Sequence, residues 1–295
     1  MERQYYFETE NAGRVPRVQF LIYHTDTREW KLIPERFDEN SARSGLIYLV
    51  KDGTIWADLN FPGFSYFAIY NEKKELFEYV AESENIPVGN LLSSGDGKIW
   101  ILASKDGIYS YDTVSHKIEK HVSIPNLETS SSLYGSMATL APDGSIYLLS
   151  MTGERQVNLM HFFPKTGQLE YVPNFDYYLG DISYNLFMER SGRLWVGDLG
   201  WMEPDGTWYR VVRSPVFVTD RSEGGNKYVW SSPSIVLQSS NGLLWFQSDN
   251  GLTWLDPQKG EWCWFTTEQS NIVEDEQHNL WMIANGKLYK YPLNP

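Results

Sequence analysis

An all-β fold built from repeated four-stranded units is what this sequence predicts, and three observations carry the prediction. The first is composition: 12 Trp, 19 Tyr and 14 Phe make aromatics 15% of the 295 residues, and such side chains favour the half-buried, pleated surface of a sheet. The second is a recurring motif: a turn pair, any residue, Ile or Leu, then an aromatic. It reads Asp52-Gly53-Thr54-Ile55-Trp56, Asp96-Gly97-Lys98-Ile99-Trp100, Asp143-Gly144-Ser145-Ile146-Tyr147, Ser191-Gly192-Arg193-Leu194-Trp195 and Asn241-Gly242-Leu243-Leu244-Trp245. A decayed sixth copy is Gln277-His278-Asn279-Leu280-Trp281. The third is spacing: successive aromatics lie 44, 47, 48, 50 and 36 residues apart, the length of four short strands with their connections.

The elements follow in order within each repeat. A short apolar run precedes each turn, as at 46–50 and 235–237, and the turn pair readily takes the positive φ of a two-residue hairpin. These are strands A and B. A second hairpin follows, as at 107–112 and 117–122, giving strands C and D, with parallel versions at 67–80, 157–172, 202–212 and 252–265. One four-stranded sheet cannot bury both of its faces, whereas a ring of such sheets buries each against its neighbours and leaves short, protected edges. The expected architecture is therefore a single β-propeller domain over residues 1–295, with the recurring aromatic as a wedge between blades.

The ends are incomplete repeats. Residues 4–9, 18–24 and 29–33 read as B, C and D without an A, and 272–291 as A, B and C without a D. Seven C-type strands against six turn motifs favour seven blades over six, with the two terminal segments closing the ring.

At the motif residues the chain resembles the two-component-regulator propeller repeat: a turn Gly, a Leu/Ile-Trp pair, then a Gly-Leu stretch ending in Asp. Residues 241–256, NGLLWFQSDNGLTWLD, match best, and 96–112 nearly as well. The resemblance runs from about residue 45 to 291, with the third and sixth copies degraded. It implies a recognition module, since these repeats form the sensor domains of bacterial membrane receptors, usually as two propellers in series. This chain carries one propeller's worth of repeats and no kinase or DNA-binding region. The repeats also resemble those of streptogramin-type lyases, whose metal-assisted site needs histidines.

Composition narrows the function further. A net charge of -13 repels phosphate backbones and anionic lipid surfaces, so nucleic acid is not an expected partner. With Cys263 as its one cysteine, the chain forms no disulfide within itself and no cysteine-rich metal site. Neither a signal-type apolar segment near the start nor a run of about 18 apolar residues occurs, so no membrane insertion is expected. The reading is cytoplasmic as written, or extracytoplasmic if the chain is part of a larger sensor or secreted protein. The Gly-x-Ser-x-Gly elbow, His-Glu-x-x-His, the phosphate-binding loop and the dinucleotide fingerprint are absent. His24 and His161 fall on equivalent C strands, His116 in a C–D turn, His121 on a D strand and His278 in an A–B turn. They are not expected to converge, so no catalytic residue, metal or cofactor is assigned.

Long connections at 58–65, 123–136, 151–156, 173–184 and 213–233 are expected on one face, where B–C and D–A connections meet around the channel mouth. Their aromatics point to recognition, because exposed rings mark interfaces and ligand grooves. The candidate ligand-binding residues are Phe64, Asp176, Tyr177, Tyr178, Tyr228 and Trp230, with Trp201 in a B–C turn. Rings that stack and carboxylates that accept hydrogen bonds suit a small polar ligand such as a glycan, or a peptide or protein. The alternative is a propeller enzyme, a lyase or carbohydrate-active, using acids near the central channel.

Overall fold

The computed structural model of the chain describes residues 20–24, 27, 29–33, 43–49, 55–61, 64–71, 73–74, 76–80, 83, 86–103, 106–124, 137–151, 156–173, 175, 177–178, 185–197, 200–210, 218–220, 228–230, 234–248, 251–266, 271–284 and 287–293. Their strands are all antiparallel in pairing. Two compact units divide the chain, Met1–Thr129 and Ser130–Pro295.

In the first unit, β1 (Phe20–His24) and β2 (Glu29–Ile33) form a hairpin. Two four-stranded sheets follow in up-and-down order. The first blade is β3 (Arg43–Leu49), β4 (Ile55–Phe61), β5 (Phe64–Asn71) and β6 (Leu76–Tyr79); the second is β7 (Val88–Ser93), β8 (Lys98–Ala103), β9 (Gly107–Asp112) and β10 (Lys117–Ser123). Sequence explains the order of burial. KIWILA in β8 is buried almost throughout, as a nearly continuous apolar run requires, whereas KIEKHVS in β10 alternates polar residues and is largely exposed at the outer edge. Trp56, fully buried, packs on Phe67 of its own sheet at 5.3 Å and edge-on against Tyr111 of the next sheet at 5.2 Å. The recurring aromatic is thus a wedge between two blades. Gly107 opens β9 with φ +144°, where a Cβ would meet the Val122 carbonyl oxygen at 1.9 Å, so only glycine lets β9 and β10 pair there.

The second unit holds four blades. The third comprises β11 (Ala138–Leu140), β12 (Ile146–Met151), β13 (Gln156–Phe163) and β14 (Gln168–Tyr171), extended by β15 (Tyr177–Tyr178). The fourth comprises β16 (Leu186–Met188), β17 (Leu194–Val196), β18 (Gly200–Met202) and β19 (Trp208–Arg210). A separate hairpin follows, β20 (Val218–Asp220) with β21 (Tyr228–Trp230). The fifth blade is β22 (Ser234–Gln238), β23 (Leu244–Ser248), β24 (Gly251–Asp256) and β25 (Glu261–Thr266); the sixth is β26 (Asn271–Glu274), β27 (Asn279–Ala284) and β28 (Lys287–Pro292). First strands abut in succession, β11 on β16, β16 on β22 and β22 on β26. Within this unit the A strands therefore line one side and the D strands the other.

Six blades stand where seven were expected. Counting C-type strands treated the N-terminal hairpin as a blade of its own, but among the described residues β1 pairs only with β2, and residues 4–9 lie outside the description. Each A–B turn motif starts one blade, so the six motifs give the number.

The A–B turns also differ from expectation by one residue. Gly144, Gly192 and Gly242 each donate to the carbonyl three residues back, at Ala141, Glu189 and Ser239, and they carry φ of +84°, +88° and +89°. The residue before each glycine keeps a negative φ. This is a type I turn closed by a left-handed residue, a three-residue loop, in place of the two-residue hairpin with two positive φ values. The side chain of Asp143 explains the choice: it accepts the Ser145 N–H at 2.9 Å, and Asp96 accepts that of Lys98 at 3.1 Å, capping the turn from within.

Candidate recognition surface

The fold separates long from short connections more sharply than the sequence does. β4 runs to Phe61 and β5 begins at Phe64, with Phe61 paired to Phe64, so 58–65 is a tight hairpin and not a long loop. Its Pro62-Gly63 pair is a turn signal in its own right. The longer segments are D–A connections: 124–137, 172–185 and 211–233.

The candidate residues fall at four places. Phe64 is the first residue of β5. Tyr177 and Tyr178 form β15, which pairs with Val157 and Gln156 and prolongs the outer edge of the third blade beyond β14. Between β14 and β15, Phe175 is buried, 7% exposed, and packs on Trp208 at 5.6 Å, anchoring the segment. Tyr228 and Trp230 lie on β21, opposite Asp220 and Val218. Asp176 lies outside the described residues. The connection at 173–184 and that at 213–233 thus each carry strand structure beyond what the blades need.

Trp201 is placed differently from expectation. It sits inside β18, paired with Trp195 on one side and Tyr209 on the other, because β17 ends at Val196 and β18 already begins at Gly200. Directly paired residues share one side of a sheet, and the rings touch: Trp195 to Trp201 at 5.0 Å, Trp201 to Tyr209 at 5.5 Å with planes 14° apart. The Trp201 indole N–H donates to Glu203 Oε1 at 2.9 Å, and Arg193 lies over the ring at 5.2 Å. Trp201 therefore belongs to the side wall of a blade.

One set of polar residues escaped the sequence reading. The indole Nε1 of Trp195, Trp245 and Trp281 donates to the residue six positions earlier: Glu189, Ser239 (3.0 Å) and Asp275 (2.7 Å). Glu189 and Asp275 are each only 4% exposed, and a buried carboxylate requires such donors. Burial pushes the Asp275 carboxyl up, but the Trp281 indole, the Asn279 backbone and side-chain donors and Lys290 outweigh it and hold it below the usual range. The signal was present as an acid or hydroxyl just before each turn.

The described histidines are engaged separately. His116 Nδ1 meets the Tyr111 hydroxyl at 2.7 Å, His121 Nε2 the Ser110 hydroxyl at 2.8 Å, His161 Nε2 the Ser145 hydroxyl at 2.6 Å, and His278 Nδ1 the Glu274 carboxylate at 3.2 Å. Ser145 donates in turn to Asp143 at 2.6 Å, so it receives its bond from the imidazole. Burial lowers the pKa of His161 against the opposing pull of Asp143 and Glu170, and burial likewise lowers His121. Among the described residues no three His, Cys, Asp or Glu side chains are grouped to hold a metal ion.

No family model matches the sequence, and no curated protein matches it. Solved structures do match. The extracellular domain of BT4673 from B. thetaiotaomicron, assigned to a hybrid two-component system, aligns over 98% of this chain with a TM-score of 0.59 and 16% identity. YCF48 bound to D1 peptide aligns over 94%, with a TM-score of 0.61 and 12% identity. This chain is a β-propeller. The propeller covers 40% of the BT4673 chain and 86% of YCF48. Catalytically inactive virginiamycin B lyase from Staphylococcus aureus with quinupristin shares the fold at TM-score 0.55 and 17% identity, over 88% of this chain and 87% of the lyase.

Proposed function

We propose that the chain is one propeller domain acting as a sensor-like recognition module, which binds a small polar ligand or a peptide through its D–A connections. The observation that carries this reading is the extra strand structure in those connections, β15 after the third blade and β20–β21 after the fourth. A blade needs a single reversal between D and A; additional ordered backbone bearing Tyr177, Tyr178, Tyr228 and Trp230 is material for contact. The likeness to a two-component-system extracellular domain supports the same reading and an extracytoplasmic setting. No helix among the described residues is long and apolar enough to cross a membrane. The enzyme reading has less support, since each of these histidines bonds to a different neighbour, His116 and His121 to Tyr111 and Ser110 of β9, His161 to Ser145 and His278 to Glu274.

The test is a thermal-shift screen of neutral and acidic oligosaccharides and short peptides, because a ligand that binds the native state raises its apparent stability. A hit whose shift vanishes in Tyr178→Ala/Trp230→Ala, with the unliganded Tm unchanged, supports the module. A hit bound equally by that variant removes the D–A face from consideration.

A further inference from the structure

Independently of the D–A face, we propose a second binding site on the side wall of the fourth blade, where Tyr209 and Glu203 take a pyranose ring of a neutral oligosaccharide. The paired rings Trp195, Trp201 and Tyr209 lead outward along one side of the sheet, from 2% exposed at Trp195 to 47% at Tyr209. The inner end is covered by the fifth blade: Trp195 meets Phe246 at 6.0 Å, and Phe246 meets Trp262 at 4.8 Å. At the outer end Trp201 takes one face of Tyr209, and close to half of that residue is left to solvent.

The outer end is held in place. Glu203 Oε1 accepts the Trp201 indole at 2.9 Å, Arg193 Nε at 3.0 Å and Arg193 Nη2 at 2.9 Å. Among the described residues Glu203 Oε2 takes no donor, and the Tyr209 hydroxyl forms no hydrogen bond. The site therefore offers a ring whose rear is stacked and a carboxylate oxygen oriented by three bonds on its twin. A pyranose is complementary to that pair: its C–H face stacks on an aromatic ring while its hydroxyls donate to the free oxygen. The open carboxylate oxygen and the net charge of -13 disfavour uronates and phosphates, which points to uncharged sugars.

Cellohexaose, with its flat succession of C–H faces, is the probe. Saturation-transfer NMR on the whole chain is expected to label its ring C–H protons, with affinity about tenfold weaker in Tyr209→Ala and restored in Tyr209→Phe. Tyr178→Ala/Trp230→Ala leaves this signal intact, which separates the side wall from the D–A face. Absence of transfer in the unaltered chain, or equal transfer in Tyr209→Ala, overturns the proposal. So does a proline-rich decapeptide that competes at Tyr209 where cellohexaose does not bind, since it assigns the site to peptide.

Discussion

The first hairpins of the fifth and sixth blades solve one problem with different residues. In the fifth, Gly242 supplies φ +89° and the Ser239 hydroxyl accepts the Trp245 indole; in the sixth, His278 is held at φ +60° and the Asp275 carboxylate accepts the Trp281 indole. Asp275 does more than Ser239. It also accepts the Gln277 N–H at 3.0 Å, the Asn279 N–H at 2.7 Å and both bonds from Asn279 Nδ2 at 2.8 Å. The difference teaches that a turn lacking its glycine can be kept by a side chain that gathers the loop's donors around one buried charge.

The strongest test removes the ring that the fifth-blade turn serves. Trp245, 2% exposed, should cost about 3–5 kcal/mol as Trp245→Ala in urea unfolding, chiefly from the cavity left behind. A cost below 1 kcal/mol would mean that the wedge is dispensable and the comparison empty. Next comes Asp275→Ala, which strands the indole and the loop N–H donors and should cost about 2–3 kcal/mol. Ser239→Ala strands one indole N–H and should cost about 1–2 kcal/mol. Equal losses at the two positions would break the contrast.

Acid should sharpen it. The folded Asp275 carboxyl lies below its unfolded value, so its contribution is present above the unfolded pKa of about 3.9 and is lost as pH falls through the folded value. The Tm difference between the unaltered chain and Asp275→Asn should therefore be constant from pH 7 to 5 and shrink below pH 4, while that for Ser239→Ala stays flat. The smallest effect is His278→Gly. Relief of a left-handed side chain, about 1–2 kcal/mol, less the unfolded-state entropy that glycine adds, leaves a gain of about 0.5–1 kcal/mol; a loss would show that the His278–Glu274 contact is what keeps this turn.

These turns were also the most legible part of the chain. The motif's turn pair, apolar residue and aromatic are fixed within five residues, so local chemistry announces each blade. Blade number was read less well, because an N-terminal hairpin looks like part of a blade until its partners are known. Asp143-Gly144 suits both a two- and a three-residue loop, and the capping bond to Ser145 that decides between them is a matter of geometry. The candidate site was least legible. Strands as short as Tyr177–Tyr178 or Tyr228–Trp230 have no period to detect, and Trp201 was put in a turn because a three-residue strand on either side of Gly197 resembles loop. The residues around it, Arg193, Glu203 and Tyr209, share a side only through pairing across three strands.

The bond from indole to acceptor spans six residues. Nothing distant is needed to close it, so a hairpin of this kind can acquire its fixed shape while later parts of the chain are still being made at the ribosome, and the loop-closure entropy it must overcome is small.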